Sequence, residues 1–408
     1  MRPFGAGLSG RWFISALGMA QICSWGTLFY GFPLIAEAMR VELGWSKPVL
    51  YGAASVGMAL ASLAAYPVGA AIDRGHGRAV MAGASVLAGL LLAAWSQVST
   101  VAAFYAVLAA LGCMQAATLY EPAFAVIARR VGPSEARRGI ITLTLWGGFA
   151  STVFIPLIQY LIETQGWRGA LLAMAGVNAL LCSCLYAIAI DRAKDAPQRR
   201  PAADEAAPLA GRRAVAAAMR RPSYWGLMVA WVAYAAAFAS LTYHLYPLLL
   251  ERGLDAAGVV IVMAVIGPAQ VAGRVLIMAL APEAPVRVLG SAIVIVFPLA
   301  VIGFAFAPAD MMVIAAIAAF YGAANGMITI VRGVAVPEMV SREAYGAING
   351  SLVAPLNLMQ AVAPLGAALL WQASGGYGAV LAAIFAGSLL LCAGFWFAAW
   401  KAGGKGAG

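Results

Sequence analysis

Two charged side chains interrupt segments that otherwise suit the interior of a lipid bilayer. Glu121 is the only charged residue between Val98 and Ala128, and Arg332 ends a similar apolar run. A charge at the bilayer centre costs roughly 2.5–3.5 kcal/mol on insertion scales, so such residues usually face a protein interior or a water-filled cavity. A carboxyl shielded from water readily holds a proton, and the planar arginine fork binds anions. The pair therefore indicates proton and anion chemistry inside a membrane.

Each of these charges lies on a stripe of polar residues. The spacings i, i+3, i+6 and i, i+4, i+7 predict one face of a helix in each case. The stripes are Gln115–Thr118–Glu121 and Asn325–Thr329–Arg332. Two functional interpretations stay open: Arg332 docks an anion while Glu121 couples protons, or the two form an ion pair that locks one conformation. Simple satisfaction of polar groups by packing is the structural alternative.

Three further residues are candidates for contact with a ligand. His244 is one of only two histidines, and tyrosines at 243 and 246 flank it. It is either a hydrogen-bonded structural residue or a substrate or proton contact. Tyr30 occupies the matching place in the first half of the chain, and Asn357 is a weaker candidate. Pro122 is expected to loosen the helix beside Glu121.

The elements that position these residues are transmembrane helices. The 408-residue chain is 63% hydrophobic and 10% charged, with a mean hydropathy of +0.88. The hydrophobic fraction is above that of soluble domains and the charged fraction is below it, and a spanning helix needs roughly 20 apolar residues. The first apolar run is too long for a signal peptide, so we interpret it as a helix. We predict an all-α membrane protein with twelve spans, at 12–36, 48–72, 79–96, 99–128, 139–162, 167–190, 223–250, 256–281, 286–306, 308–332, 344–372 and 376–400.

The distribution of the basic residues predicts how the chain is oriented in the membrane. If the first span begins inside, 20 of the 26 Lys and Arg fall on the cytoplasmic side. This asymmetry predicts that both termini are cytoplasmic. We expect the membrane to be a bacterial inner membrane. The net charge of +10 is thereby explained without a nucleic-acid partner.

The chain divides into two similar halves. Residues 191–222 are polar and rich in Ala and Pro, and predict a cytoplasmic linker with a short amphipathic helix near 209–221. The six-helix halves are then 1–190 and 223–408. Residues 27–35 align with 241–249, which places Pro33 on Pro247 and Tyr30 on His244. Such pseudo-symmetric repeats are typical of secondary transporters.

The segment GAAIDRGHGR, residues 69–78, joins the second and third spans. It resembles the loop signature of the major facilitator superfamily, with one extra residue before its second glycine. The matching residues are Gly69, Asp73, Arg74, Gly77 and Arg78. The resemblance implies that this loop closes the cytoplasmic side. We expect Gly69 to allow close helix packing and Asp73 to meet an arginine or a helix N-terminus. Arg274, in the partial counterpart GPAQVAGRVL, either braces this gate or extends to the surface.

The same resemblance implies a fold and a function. It places spans 1, 4, 7 and 10 around a central cavity, and implies transport by alternating access. The basic residue in span 10 and the acid in span 4 are similar to the monocarboxylate and oxalate–formate branch. We therefore expect a proton-coupled carrier of a small organic anion that functions as a monomer. The alternatives are an exporter of drug-like or toxic molecules and a non-transporting membrane sensor. Without a P-loop, HExxH or CxxC motif, no enzyme, cofactor or metal site is expected.

Overall fold

The computed structural model describes residues 8–131, 133–191, 206–281, 283–341 and 345–403, and these residues form helices without any strand. Ten helices among them are long and apolar enough to cross a membrane. Two of the ten contain 49 and 52 residues, about twice the length of a span. Each is interrupted by a glycine with positive φ, Gly75 at 86° and Gly166 at 71°. The described chain therefore contains twelve spans, and the predicted all-α membrane architecture is confirmed.

The chain forms two compact units, residues 1–199 and 200–408. The spans of the first unit are α1 (8–43), α2 (Lys47–Ala71), α3 (Gly77–Trp95), α4 (101–131), α5 (133–165) and α6 (167–189). Those of the second unit are α7 (Pro222–Glu251), α8 (Ala256–Leu280), α9 (286–306), α10 (Met311–Met339), α11 (Tyr345–Ser374) and α12 (Tyr377–Gly403). A further helix, Ala206–Met219, precedes α7 where the amphipathic linker helix was predicted. Linker residues 192–205 lie outside the described residues.

Glycines set the closest helix crossing in the first unit. A Cβ atom on Gly112 of α4 would overlap the carbonyl group of Gly57 on α2, so only glycine permits this approach. The expected role of Gly69 was wrong, because nothing lies within 4 Å of the place where its Cβ would be. The loop signature marks the end of α2, whereas the close contact lies three turns earlier on the same helix.

An acidic residue at the end of the first span of each unit fixes a later loop. Glu42 of α1 accepts a hydrogen bond from the indole of Trp167 at 2.8 Å and pairs with Arg168. Glu251 of α7 accepts from the indole of Trp371 at 2.7 Å and from the backbone N–H of Tyr377 at 2.9 Å. The same device thus ties α1 to the α5–α6 turn and α7 to the α11–α12 turn.

These matching features correct the alignment of the repeat. Glycines with positive φ follow the acids at Gly44 and Gly253, and others mark the later turns at Gly166 and Gly375. Both pairs are separated by 209 positions, whereas the alignment of Pro33 with Pro247 needs 214. Pro33 and Pro247 therefore do not occupy equivalent positions in the repeat, and Tyr30 is not the counterpart of His244.

Candidate functional site

The fourth span is broken beside its acid. The helix Val101–Thr118 ends where Leu119 adopts an extended conformation (φ −80°, ψ −151°), and a second helix, Tyr120–Val131, follows. We call these segments α4a and α4b. Pro122 has no N–H to donate to the carbonyl of Thr118, four residues earlier, which explains the break. The predicted single helical face is wrong: Thr118 is fully buried and Glu121 is exposed.

Side chains from two other helices reach the carbonyl groups at this break. Gln21 of α1 is completely buried, and its Nε2 donates to the carbonyls of Thr118 at 2.8 Å and Leu119 at 3.2 Å. The hydroxyl of Tyr186 on α6 donates to Thr118 O at 3.1 Å and lies 3.0 Å from Gln21 Nε2. The unwound backbone is therefore satisfied inside protein, as a membrane span requires.

The helices that flank the break are also irregular. α1 contains a π-helical turn at Gly26–Tyr30, and α6 contains one at Val177–Cys182. Asn178 links the two through a 2.7 Å hydrogen bond to Thr27 Oγ1. Such bulges frequently mark functional sites. Sequence reasoning missed Gln21, Asn178 and Tyr186. An isolated amide within an apolar run was the available signal for Gln21 and Asn178, whereas Tyr186 gave none.

Glu121 lies in the first turn of α4b. Its side chain is exposed, and no described residue forms a hydrogen bond or ion pair with it. The N-terminal end of α4b favours a negative charge at this position.

Several aromatic side chains lie close together at the start of α4b. Tyr120 lies 4.8 Å from Trp25 and stacks on Phe124 at 5.2 Å between ring centroids. Tyr30, a predicted site residue, is half-buried and lies 6.3 Å from Trp25. These rings form an apolar surface beside the N-terminal end of α4b within the first unit.

The other end of α4b contacts the predicted gate loop. Arg129 donates to the backbone carbonyl of Asp73 at 2.6 Å, so this bond involves the main chain and not the carboxylate for which a partner was expected. Arg130 donates to Ala189 O at 2.8 Å and lies over the ring of Phe13. Gly75 provides the chain reversal, which the motif match to Gly77 did not identify. Within the loop, Arg74 is exposed, Arg78 is half-buried and Gly77 is buried.

The second predicted stripe lies on one continuous helix, α10, but its residues differ in environment. Asn325 is buried and accepts a hydrogen bond from the hydroxyl of Tyr234 on α7. Thr329 is exposed, and its hydroxyl bonds to Gly326 O at 2.7 Å. Arg332 is half-buried, and no described residue bonds or pairs with its guanidinium. Asn325 thus fastens α10 to α7, while Thr329 and Arg332 stay accessible.

His244 is enclosed within the second unit. It is fully buried, with Nε2 2.9 Å from Pro364 O and Nδ1 2.9 Å from the hydroxyl of Tyr377. A carbonyl only accepts, so Nε2 carries the proton and Nδ1 accepts from Tyr377. Both nitrogens are engaged, which favours the structural interpretation over contact with substrate.

The His244→Leu variant is expected to lower stability without altering how transport depends on pH. It leaves Pro364 O and the Tyr377 hydroxyl without this partner in a buried site, at about 1–3 kcal/mol for each group. Thermal unfolding of the purified variant measures the first effect, with the exposed His76→Leu as control. Unchanged stability together with lost transport would instead make His244 a ligand contact.

The remaining predicted residues lie at different places in the second unit. Asn357 on α11 and Arg274 on α8 are both half-buried. Arg274 follows Gly273, where a Cβ atom would overlap the carbonyl of Ala323 on α10. Arg274 therefore lies beside the close crossing of α8 and α10.

Comparison with known proteins identifies the family. Residues 17–364 match the model of the Major Facilitator Superfamily. The chain belongs to the Major Facilitator Superfamily. The predicted resemblance is thereby confirmed, for a multi-pass membrane protein of this superfamily. The solved structure of the nucleoside transporter NupG shares its fold, with a TM-score of 0.70 at 15% identity over 96% of this chain and 97% of that one.

Curated relatives of this superfamily member are monocarboxylate transporters. It is 30% identical to monocarboxylate transporter 13 of Rattus norvegicus over 176 residues, 42% of this chain and 38% of the relative. It is 32% identical to monocarboxylate transporter 11 of Homo sapiens over 207 residues, 50% of this chain and 42% of the relative. The chain thus spans about two fifths of the length of the curated relatives it matches.

Proposed function

We propose that this protein is a transporter, and that it carries a small organic anion of the monocarboxylate type together with protons. The observation that carries the proposal is the Glu121 carboxyl, exposed on a broken span and without a partner among the described residues. A permanently charged carboxylate facing hydrocarbon is costly, so this group faces water or holds a proton during the cycle. The similarity to monocarboxylate transporters supports the substrate class.

Arg332 is the proposed docking group for the anion. It is the half-buried guanidinium on α10, and no described residue neutralises it. Its planar fork can give a carboxylate two parallel hydrogen bonds, which fixes both position and charge. The exposed hydroxyl of Thr329, one turn away, is the proposed second contact.

The proposal places the protein in a bacterial inner membrane with both termini in the cytoplasm. The gate residues Asp73, Arg74, Gly77, Arg78 and Arg274 then lie towards the cytoplasm. Arg129, which bonds to the loop at Asp73, is an additional gate residue. A single copy of the chain is proposed to suffice for transport.

Reconstitution tests this function directly. Proteoliposomes with an imposed pH gradient should accumulate labelled lactate, pyruvate or benzoate, and a protonophore should abolish the accumulation. Liposomes without protein and proteoliposomes without a gradient are the controls. Flux of uncharged or cationic drug-like compounds in place of carboxylates would favour an exporter, and ligand binding without any flux would favour a sensor.

A further inference from the structure

The break in α4 depends on a residue far away in the sequence. Gln21 lies 97 positions before Thr118, on α1, and is fully buried. In an uninterrupted helix the carbonyl of Thr118 would accept from the N–H of residue 122. Residue 122 is proline, so that donor does not exist. Gln21 Nε2 and the Tyr186 hydroxyl donate to the carbonyl oxygen of Thr118 instead, at 2.8 and 3.1 Å.

We propose that Gln21 is a positioning residue, which holds α4 open at Leu119 and thereby sets the orientation of Glu121. Its Nε2 also donates to Leu119 O at 3.2 Å, so one amide bonds both carbonyls at the break. If the bonds of Gln21 are lost, Leu119 O loses its side-chain donor and Thr118 O keeps only the Tyr186 hydroxyl. We expect α4b then to rotate relative to α4a until Leu119 O finds another donor, and Glu121 turns with it.

The role of Gln21 differs from that of the other amide between the same two helices. Gln115 on α4a donates to Leu28 O on α1 at 2.6 Å. That bond also joins α1 to α4, but it lies one turn before the break and touches neither of its carbonyls. Gln115→Leu is therefore the matched control for Gln21→Leu.

We call this role of Gln21 the brace. A stability cycle, in which the thermal stabilities of single and double variants are compared, tests it without requiring transport. Gln21→Leu should lower the thermal unfolding midpoint by about 3 °C or more, because it withdraws a donor from buried carbonyls. Pro122→Ala restores an N–H four residues after Thr118, so the double variant should recover at least half of that loss. Gln115→Leu should show no such recovery when combined with Pro122→Ala. Additive losses for Gln21→Leu and Pro122→Ala would overturn the brace.

The effect on Glu121 is measured as the number of protons moved per anion, from a pH-sensitive dye and a labelled carboxylate in the same proteoliposomes. Loss of folded protein lowers both fluxes equally, whereas a misplaced Glu121 lowers the ratio. We expect the ratio to fall for Gln21→Leu, to stay low for the double variant and to be unchanged for Gln115→Leu. An unchanged ratio for Gln21→Leu would overturn the inference.

A failure of this inference can be told apart from a failure of the proposed function. This inference rests on the proposed function: if the wild-type protein moves no carboxylate, that function fails, while the stability cycle still decides the brace. If Gln21→Leu yields no folded protein, Tyr186→Phe removes the second donor to Thr118 O and the same pattern is expected with a smaller amplitude. A Tyr186→Phe variant with wild-type stability and ratio would contradict the proposal.

Discussion

The Glu121→Gln variant is expected to lose accumulation driven by a pH gradient and to retain exchange of labelled for unlabelled anion. Glutamine has the shape of the protonated acid but cannot release a proton. With one coupled proton, a gradient of one pH unit supports about a tenfold concentration ratio, since 1.36 kcal/mol corresponds to a factor of ten. In the variant this ratio should fall to about one.

A second glutamate of the first unit supplies the control for this experiment. Glu163 on α5 is also exposed, and it accepts a hydrogen bond from Gln159 at 2.7 Å. Glu163→Gln should accumulate the anion as the wild-type protein does. If Glu121→Gln loses exchange as well as accumulation, Glu121 is structural. If it retains accumulation, another group carries the proton.

The number of spans followed from the sequence because each apolar run is long enough to cross a bilayer and is separated from the next by polar residues or glycine. The two very long helices do not contradict this reading, since Gly75 and Gly166 interrupt them at the predicted connections. The length of an apolar run is a local property, so it can be determined from one sequence. The register of the repeat could not be determined in this way, because short apolar segments align equally well at several offsets.

The sequence predicted single residues within the apolar runs as members of the candidate site. It did not predict which residues they contact. Glu121 and Arg332 were visible as isolated charges, and both are accessible in the structure. The burial of His244 depends on Pro364 and Tyr377, which lie 120 and 133 positions away. The break at Leu119 depends in the same way on Gln21. Periodicity describes one helix at a time and carries no information on such partners.

The family resemblance had a similar limit. The loop signature located the turn between α2 and α3, but it assigned close packing to Gly69, where the structure has open space. The residues that do permit close approach, Gly57 and Gly112, belong to no motif. A motif records which residues recur in a family, whereas the tolerance for a Cβ atom depends on the neighbouring helix.

Arg332→Lys is expected to raise KM for the anion by roughly 10–100-fold, with a smaller change in the maximal rate. Lysine keeps the positive charge but loses the planar fork, so one of two charge-assisted hydrogen bonds is lost, at about 1.5–3 kcal/mol. Arg332→Gln, which also removes the charge, should abolish measurable uptake. Initial rates of labelled carboxylate uptake over a range of concentrations measure both effects.

Arg287→Lys provides the comparison, because Arg287 is an exposed arginine of the same unit at the start of α9. Its KM should equal that of the wild-type protein, which separates loss of the α10 fork from a general effect of replacing arginine. Thermal unfolding of each variant shows whether the protein remains folded. An unchanged KM for Arg332→Lys would exclude bidentate docking at this residue, and uptake by Arg332→Gln at the wild-type rate would exclude Arg332 as the anion site.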